Sequence, residues 1–244
     1  AAIFLVYVDA TQGWVATQDD SSTFAGETFI VATGGTITCS GDDKIHTFTG
    51  PGTFTVCSIG TAAADNLISY VIVAGGGSGG TYVSGSPSSA GGGGAGGFRE
   101  TKSPATPYTA SPLDGYPTPG NRITVTATGY PITVGGGAPA AGPGAPVIGI
   151  KGSDSTALGL TSTGGGYGAN GPSGPDKVGG PGGSGGGGGG GESAYAGGAG
   201  NTPPTTPSQG FPGGVAGCGP PQYGSGGGGG ATEIGAAGIP TSGG

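Results

Sequence analysis

The chain has no methionine, one histidine, one tryptophan and three cysteines, and only 8% of its 244 residues are Asp, Glu, Lys or Arg. Each shortage excludes something. Six Lys and Arg against thirteen Asp and Glu leave a net charge of −7. With no basic stripe to neutralise a row of phosphates, nucleic acid is not a partner. So few charges also cannot hold a chain open by self-repulsion. Three cysteines are an odd count, so no complete disulfide framework is available. The longest apolar stretch, residues 1–8, is too short to span a bilayer and has no basic flank, so no membrane insertion is expected. The absence of methionine even at position 1 points to a processed product or a piece of a longer one. Large apolar side chains are also scarce in the second half, which therefore cannot bury one continuous core of Leu, Ile, Val and Phe.

What is abundant is glycine. There are 66 Gly and 21 Pro in the 244 residues, about 36% together, above the roughly 25–30% at which a non-periodic excess suggests low complexity. Collagen does not fit, because the glycine run at 185–191 breaks the strict G-X-Y period. Two states remain: a flexible low-complexity chain, or an ordered glycine architecture held by backbone hydrogen bonds.

Three regions can be read. Residues 1–23 form a β segment in which Ile3-Phe4-Leu5-Val6-Tyr7-Val8 is followed by a turn and a second short strand around Trp14. Both faces of the first strand are apolar, and an isolated hairpin is marginal in water. Its burial is expected to need neighbouring copies or more of the chain, which favours a homotrimer. Residues 24–74 read as an antiparallel β domain, a meander or small sandwich. Its strand candidates are Phe24, 29–31, 36–39, 44–49, 53–57 and 68–74, separated by Gly34-Gly35, Ser40-Gly41-Asp42-Asp43 and Gly50-Pro51-Gly52. Around the last turn, Phe48, Phe54 and Val56 are expected inward and the threonines outward. If Ile37 marks the buried face, Cys39 is buried with it, whereas Cys57 has the opposite parity to Phe54 and Val56. Free thiols are therefore expected.

Residues 75–244 change character, with glycine blocks alternating with Pro-, Ser-, Thr- and Tyr-bearing inserts at no fixed period. Helix is disfavoured, since glycine costs about 1 kcal/mol and proline about 3 kcal/mol per position relative to alanine. The left-handed extended helix of about three residues per turn has no internal hydrogen bonds and leaves every N–H and C=O free sideways. When all faces are glycine, such helices can approach closely and pair in a hexagonal bundle. Buried backbone is costly when unpaired, so that bundle must be nearly saturated with interstrand bonds. The expected fold class is thus mainly β plus polyglycine II: a short β meander or sandwich, then a bundle of packed polyglycine helices with Pro/Tyr-rich loops and no α-helix. The entropy of ordering glycine argues for the flexible alternative.

No catalytic constellation emerges. His46 lies in a strand between Ile45 and Thr47 and reads as structural. Gly76-Gly77-Ser78-Gly79-Gly80 and Gly182-Gly183-Ser184-Gly185-Gly186 satisfy G-x-S-x-G, but neither is followed by the helix a nucleophile elbow requires. The G-x-G-x-x-G matches lack a βαβ unit. The carboxylates are scattered, and those of Asp42-Asp43 are solvated turn residues by default. We expect no enzyme activity, no metal and no cofactor.

The inserts hold the binding candidates. Residues 98–122 carry Tyr108, Asp114 and Tyr116 with Arg99 and Lys102, and further inserts offer Tyr167, Tyr195 and Tyr223. Rigid aromatics between Pro and Gly give contact area at little conformational entropy. The plainer reading is that these tyrosines cover the bundle ends.

Gly34-Gly35-Thr36, the run from Lys44 to Val56, and Ser69-Tyr70-Val71-Ile72-Val73-Ala74-Gly75-Gly76-Gly77 occur in that order. Gly91-Gly92-Gly93-Gly94-Ala95-Gly96-Gly97-Phe98-Arg99, Ile132-Thr133-Val134-Gly135-Gly136-Gly137, Thr161-Ser162-Thr163-Gly164-Gly165-Gly166 and Ser208-Gln209-Gly210-Phe211-Pro212-Gly213-Gly214 follow. Over about residues 26–240 this series resembles the glycine-rich domain of bacteriophage tail-fibre and tail-tip proteins. The opening run from Val6 to Trp14 is similar to the segment joining a trimeric fibre to its distal domain. Cys39 and Cys57, and the proline-rich inserts, depart from the family pattern. The resemblance implies a virion protein, a fibre-tip adhesin that contacts a host-cell receptor, protein or glycan, through loops on packed polyglycine helices. It would be extracellular after release and attached to the upstream part of the same fibre. The contrasting class is a structural surface-filament or capsid-fibre protein with no receptor role.

Overall fold

The computed structural model describes residues 4–9, 13–17, 29–82, 89–142, 147–171, 176–219 and 223–239. Phe24, expected in a strand, lies outside them. The architecture is mainly β and non-helical: among the described residues the only helical turns are short 3-10 turns at Ala63–Asn66 and Pro119–Asn121. No helix among them is long and apolar enough to cross a membrane.

The N-terminal hairpin pairs β1 (Phe4–Asp9) with β2 (Gly13–Thr17), with Tyr7 opposite Trp14. Next come β3 (Val31–Thr33), β4 (Thr36–Ser40), β5 (Asp43–Thr47) and β6 (Gly52–Ser58). β4 and β5 close a hairpin on the expected turn, where Gly41 takes a φ of +58° that disfavours a side chain. The sequential meander is not what forms. β6 pairs not with β5 but with β3 on one side and with β11 (Gly129–Ile132) on the other. Pro131 sits in β11 at the sheet edge, where its missing N–H is tolerated. β7 (Leu67–Ile68) likewise pairs with β10 (Ile123–Thr124). Residues 123–132 thus return to the first β region from far along the chain.

The hydrophobic core here is small. Ala32, Val56 and Val125 are buried, with Ile30, Phe54, Ile68, Ile123 and Tyr130 packed around them. Val56 and Phe54 face inward as expected, but Ile37 is 44% exposed, and Cys39 beside it on the same face is exposed too. Only the His46 end of that face is covered, so parity with Ile37 does not bury Cys39. Cys39, Cys57 and Cys218 are all free. His46 has a structural place: its Nδ1–H donates to the Gly34 carbonyl at 2.8 Å and its ring meets Phe54 edge-on at 5.0 Å. Gly34, with φ of +104°, brings its backbone against the Thr53 carbonyl, leaving no room for a Cβ.

β8 (Tyr70–Val73) pairs with β9 (Phe98–Thr101), and β12 (Ser155–Ala157) with β13 (Leu160–Ser162). These lead into the glycine blocks, where hydrogen bonding is lateral and follows a three-residue rhythm. Along 183–190, the N–H groups of Ser184, Gly187 and Gly190 donate to Ala95, Gly92 and Ser89. Those of Gly185 and Gly188 donate to Phe211 and Gly214, and those of Gly186 and Gly189 to Gly180 and Lys177. The carbonyls answer in the same rhythm. Ser184 and Gly187 accept from Gly166 and Ala169, Gly183 and Gly186 from Asn201 and Gly198, and Gly185 and Gly188 from Gly229 and Gly226. One segment therefore runs among six others, each contacted at every third residue. Residues 182–190 are buried throughout with no side chain larger than serine. What covers them is backbone, and the pairing keeps that burial from being costly.

Candidate binding loop

The segment leaving β9 and returning at β10 contains Tyr108, Asp114 and Tyr116. A buried polar network ties its base to the fold. The Thr101 hydroxyl donates to the Tyr70 hydroxyl at 2.9 Å, which donates to the Asn121 carbonyl at 2.9 Å. The Asn121 side-chain amide donates to the Thr206 carbonyl at 2.7 Å, linking the loop to a distant part of the chain.

Two carboxylates organise the loop itself. Glu100 is 5% exposed, and its Oε2 accepts the Ser111 N–H at 2.8 Å. Asp114 Oδ1 accepts the N–H groups of both Lys102 and Tyr116, each at 2.9 Å. The Ser69 hydroxyl group is shared with Thr106 at 2.8 Å and accepts the Ser103 N–H at 2.9 Å. Leu113 is buried beneath. Asp114 is thus a clasp: one oxygen holds the outgoing and the returning chain together.

Cations lie on the tyrosines. Lys102 Nζ is 5.8 Å from the centre of the Tyr108 ring. The Arg122 guanidinium is 4.4 Å from the centre of the Tyr116 ring, and its Nε–H donates to the Tyr116 carbonyl at 2.8 Å. Tyr108 is 38% exposed, and desolvation of its covered part pushes the phenol from 10.0 up to about 12, with Glu100, by its charge and hydrogen bonding, and then the charge of Asp114 adding to the rise. The phenol therefore stays neutral at every ordinary pH.

The remaining tyrosines lie elsewhere. The Tyr167 ring covers Gly180, occupying the space a Cβ there would need, and its carbonyl accepts the Gly180 N–H at 2.8 Å. Lys177 Nζ is 3.2 Å from the Tyr195 hydroxyl and 5.0 Å from the ring centre. Tyr167 and Tyr195 thus meet the same short stretch, 177–180. The Tyr223 carbonyl accepts the Ser89 hydroxyl. Tyr108, Asp114 and Tyr116 form one cluster; Tyr167, Tyr195 and Tyr223 do not join it. Sequence reading missed Lys177 as a tyrosine partner and Glu100 as an organiser. The available signal for the cations was scarcity: with only six Lys and Arg in the chain, three lying on tyrosine rings is a pattern.

Two outcomes are expected. Asp114→Ala leaves the Lys102 and Tyr116 N–H groups without their acceptor. Trypsin should then cut after Lys102 about tenfold faster than in the wild type, the equivalent of one lost hydrogen bond to a charged group. The second concerns pH. A folded-state phenol raised above its ordinary value favours the fold while protonated, so its contribution is complete below pH 10.0 and is lost as pH rises toward about 12. Denaturation across that window should show a loss of stability that Tyr108→Phe reduces.

Among the described residues no group of three His, Cys, Asp or Glu is placed to hold a metal ion. No family model, curated protein or solved structure matches the chain.

Proposed function

We propose that this protein is the distal, receptor-binding part of a bacteriophage tail fibre, non-enzymatic, with loops displayed on a polyglycine II scaffold that contact the bacterial surface. The observation that carries the reading is the three-residue rhythm of lateral hydrogen bonds around 183–190. It is what packed left-handed helices of about three residues per turn would produce. Such a scaffold needs no large side chains inside, so the larger residues are free to sit in the inserts. Support for a contact role comes from the clasped 98–122 loop, whose shape is set before any partner arrives.

In this reading the protein acts in the virion, outside the cell after release, as a homotrimer joined to the upstream fibre through residues 1–23. The partner is a host cell-surface receptor. The test is exchange of the 99–121 and 151–163 inserts between fibres of different host range. Host range should follow the inserts. If it is unchanged by the exchange, the surface-filament role without receptor binding is the better account. The mass of the intact fibre in solution tests the trimer, and a monomer would overturn that part.

A further inference from the structure

We propose that the 98–122 loop holds a site for an anionic saccharide, in which Lys102 and Arg122 bind the acid group. The inference deepens the receptor reading and rests on it for the biological origin of the ligand.

In a chain of net charge −7, three of the six Lys and Arg, namely Arg99, Lys102 and Arg122, fall within residues 98–122, together with the carboxylates of Glu100 and Asp114. Arg99 is directed away, its guanidinium donating to the Thr161 carbonyl at 3.2 Å. Lys102 and Tyr116, the residue on which Arg122 lies, are both tied to Asp114. Asp114 Oδ1 binds the backbone N–H of Lys102 and of Tyr116, and the Tyr116 ring carries Arg122. Both cation–tyrosine pairs therefore belong to the one clasped segment.

The nearby carboxylates do not pair with these cations. Glu100 is buried and accepts the Ser111 N–H, and Asp114 accepts two backbone N–H groups. Among the described residues neither Lys102 nor Arg122 has a carboxylate partner. What each has is a tyrosine ring, which holds the charge in place without neutralising it. Arg122 is exposed and Lys102 half-buried. Two cations held on tyrosine rings and, among the described residues, free of an ion-pair partner suit a ligand that offers an acid group together with hydroxyls and a C–H face. An acidic sugar has all three. Arginine is also the side chain whose planar fork best matches a carboxylate or phosphate.

The probes are tetragalacturonate for a carboxylate source, glucose 6-phosphate for a phosphate source and maltotetraose as the neutral control. Each is titrated against the whole isotope-labelled chain and followed by amide shifts. The expected result is saturable shifts at Lys102, Gly115, Tyr116 and Arg122 with at least one acidic probe and none with maltotetraose. Affinity should fall several-fold on raising the salt from about 50 to about 300 mM. In Lys102→Gln/Arg122→Gln it should fall at least tenfold. Arg122→Lys, which keeps the charge, should recover part of the loss and guards against a folding defect. No shift with either acidic probe, or binding unchanged in the double variant, overturns the site.

Adsorption to host cells, measured in parallel, separates the two readings. Equal adsorption by wild type and double variant without saccharide binding overturns this site and leaves the receptor reading standing. Acid-saccharide binding with adsorption insensitive to every insert exchange overturns the receptor reading and leaves the site standing.

Discussion

Gly187→Ala is expected to destabilise the protein by at least about 3 kcal/mol, the upper end of what overpacking costs, or to prevent folding. A Cβ at this position overlaps the carbonyl oxygen of Gly226 and crowds that of Gly227. Both obstacles are backbone, so no rotamer change relieves them. Pushing the neighbouring segment away would break the Gly226-to-Gly188 bond, and pulling 187 back would break its own bond to Gly92. The contrasting substitution is Gly136→Ala. A Cβ there meets nothing within 4 Å, and restricting the unfolded chain should stabilise by roughly 0.4–1 kcal/mol. Thermal denaturation of the two variants makes the comparison. Two alanines for two glycines, with opposite signs, would separate glycine as a packing requirement from glycine as composition.

The second large effect is expected at Gln209. It is 1% exposed, the bulkiest of the fully buried side chains among the described residues. Its Oε1 accepts the Thr163 N–H at 2.8 Å, and its Nε2 donates to the Pro203 carbonyl at 2.8 Å. Its own carbonyl accepts the Phe98 N–H at 2.8 Å. One side chain thus satisfies two buried backbone groups on different segments while its main chain holds β9. Gln209→Ala leaves both groups unpaired and opens a cavity, a loss of about 3 kcal/mol from the unsatisfied pair alone. For a chain of this size that is roughly 6–12 °C in the melting temperature. Gln209→Glu should also destabilise, since a carboxylate oxygen would face the Pro203 carbonyl.

Legibility in the sequence followed the range of the interactions. The β4–β5 hairpin was readable because its turn, Ser40-Gly41-Asp42-Asp43, is local and Gly41 has the positive φ such turns require. The inward parity of Phe54 and Val56 was readable for the same reason. The partners of β6 were not. β11 lies more than seventy residues further along, and nothing in Gly129-Tyr130-Pro131-Ile132 announces which strand it will join. Val125, 1% exposed and among the most buried side chains of the small core, went unnoticed because it sits between threonines in an unremarkable stretch. The expectation for Cys39 failed because parity says which residues share a face and not whether that face is covered.

At the candidate site, the aromatic and acidic residues could be picked out from composition. Their arrangement could not. That Asp114 clasps two strands of one loop, or that Arg122 lies on Tyr116, depends on how a proline-rich segment closes. Lys177 and Tyr195 are far enough apart in sequence that only the lateral pairing of the glycine blocks brings them together.

Residue-resolved amide hydrogen exchange across 183–190 distinguishes an ordered glycine scaffold from a flexible chain. The amides of Ser184 through Gly190, buried and each bonded to a neighbouring segment, are expected to exchange as slowly as Val56 in the β core. They should be released only by global unfolding. Rapid, uniform exchange of these glycines while Val56 remains protected would contradict the ordered scaffold, and would mean that the glycine-rich half is a flexible chain tethered to a small β domain.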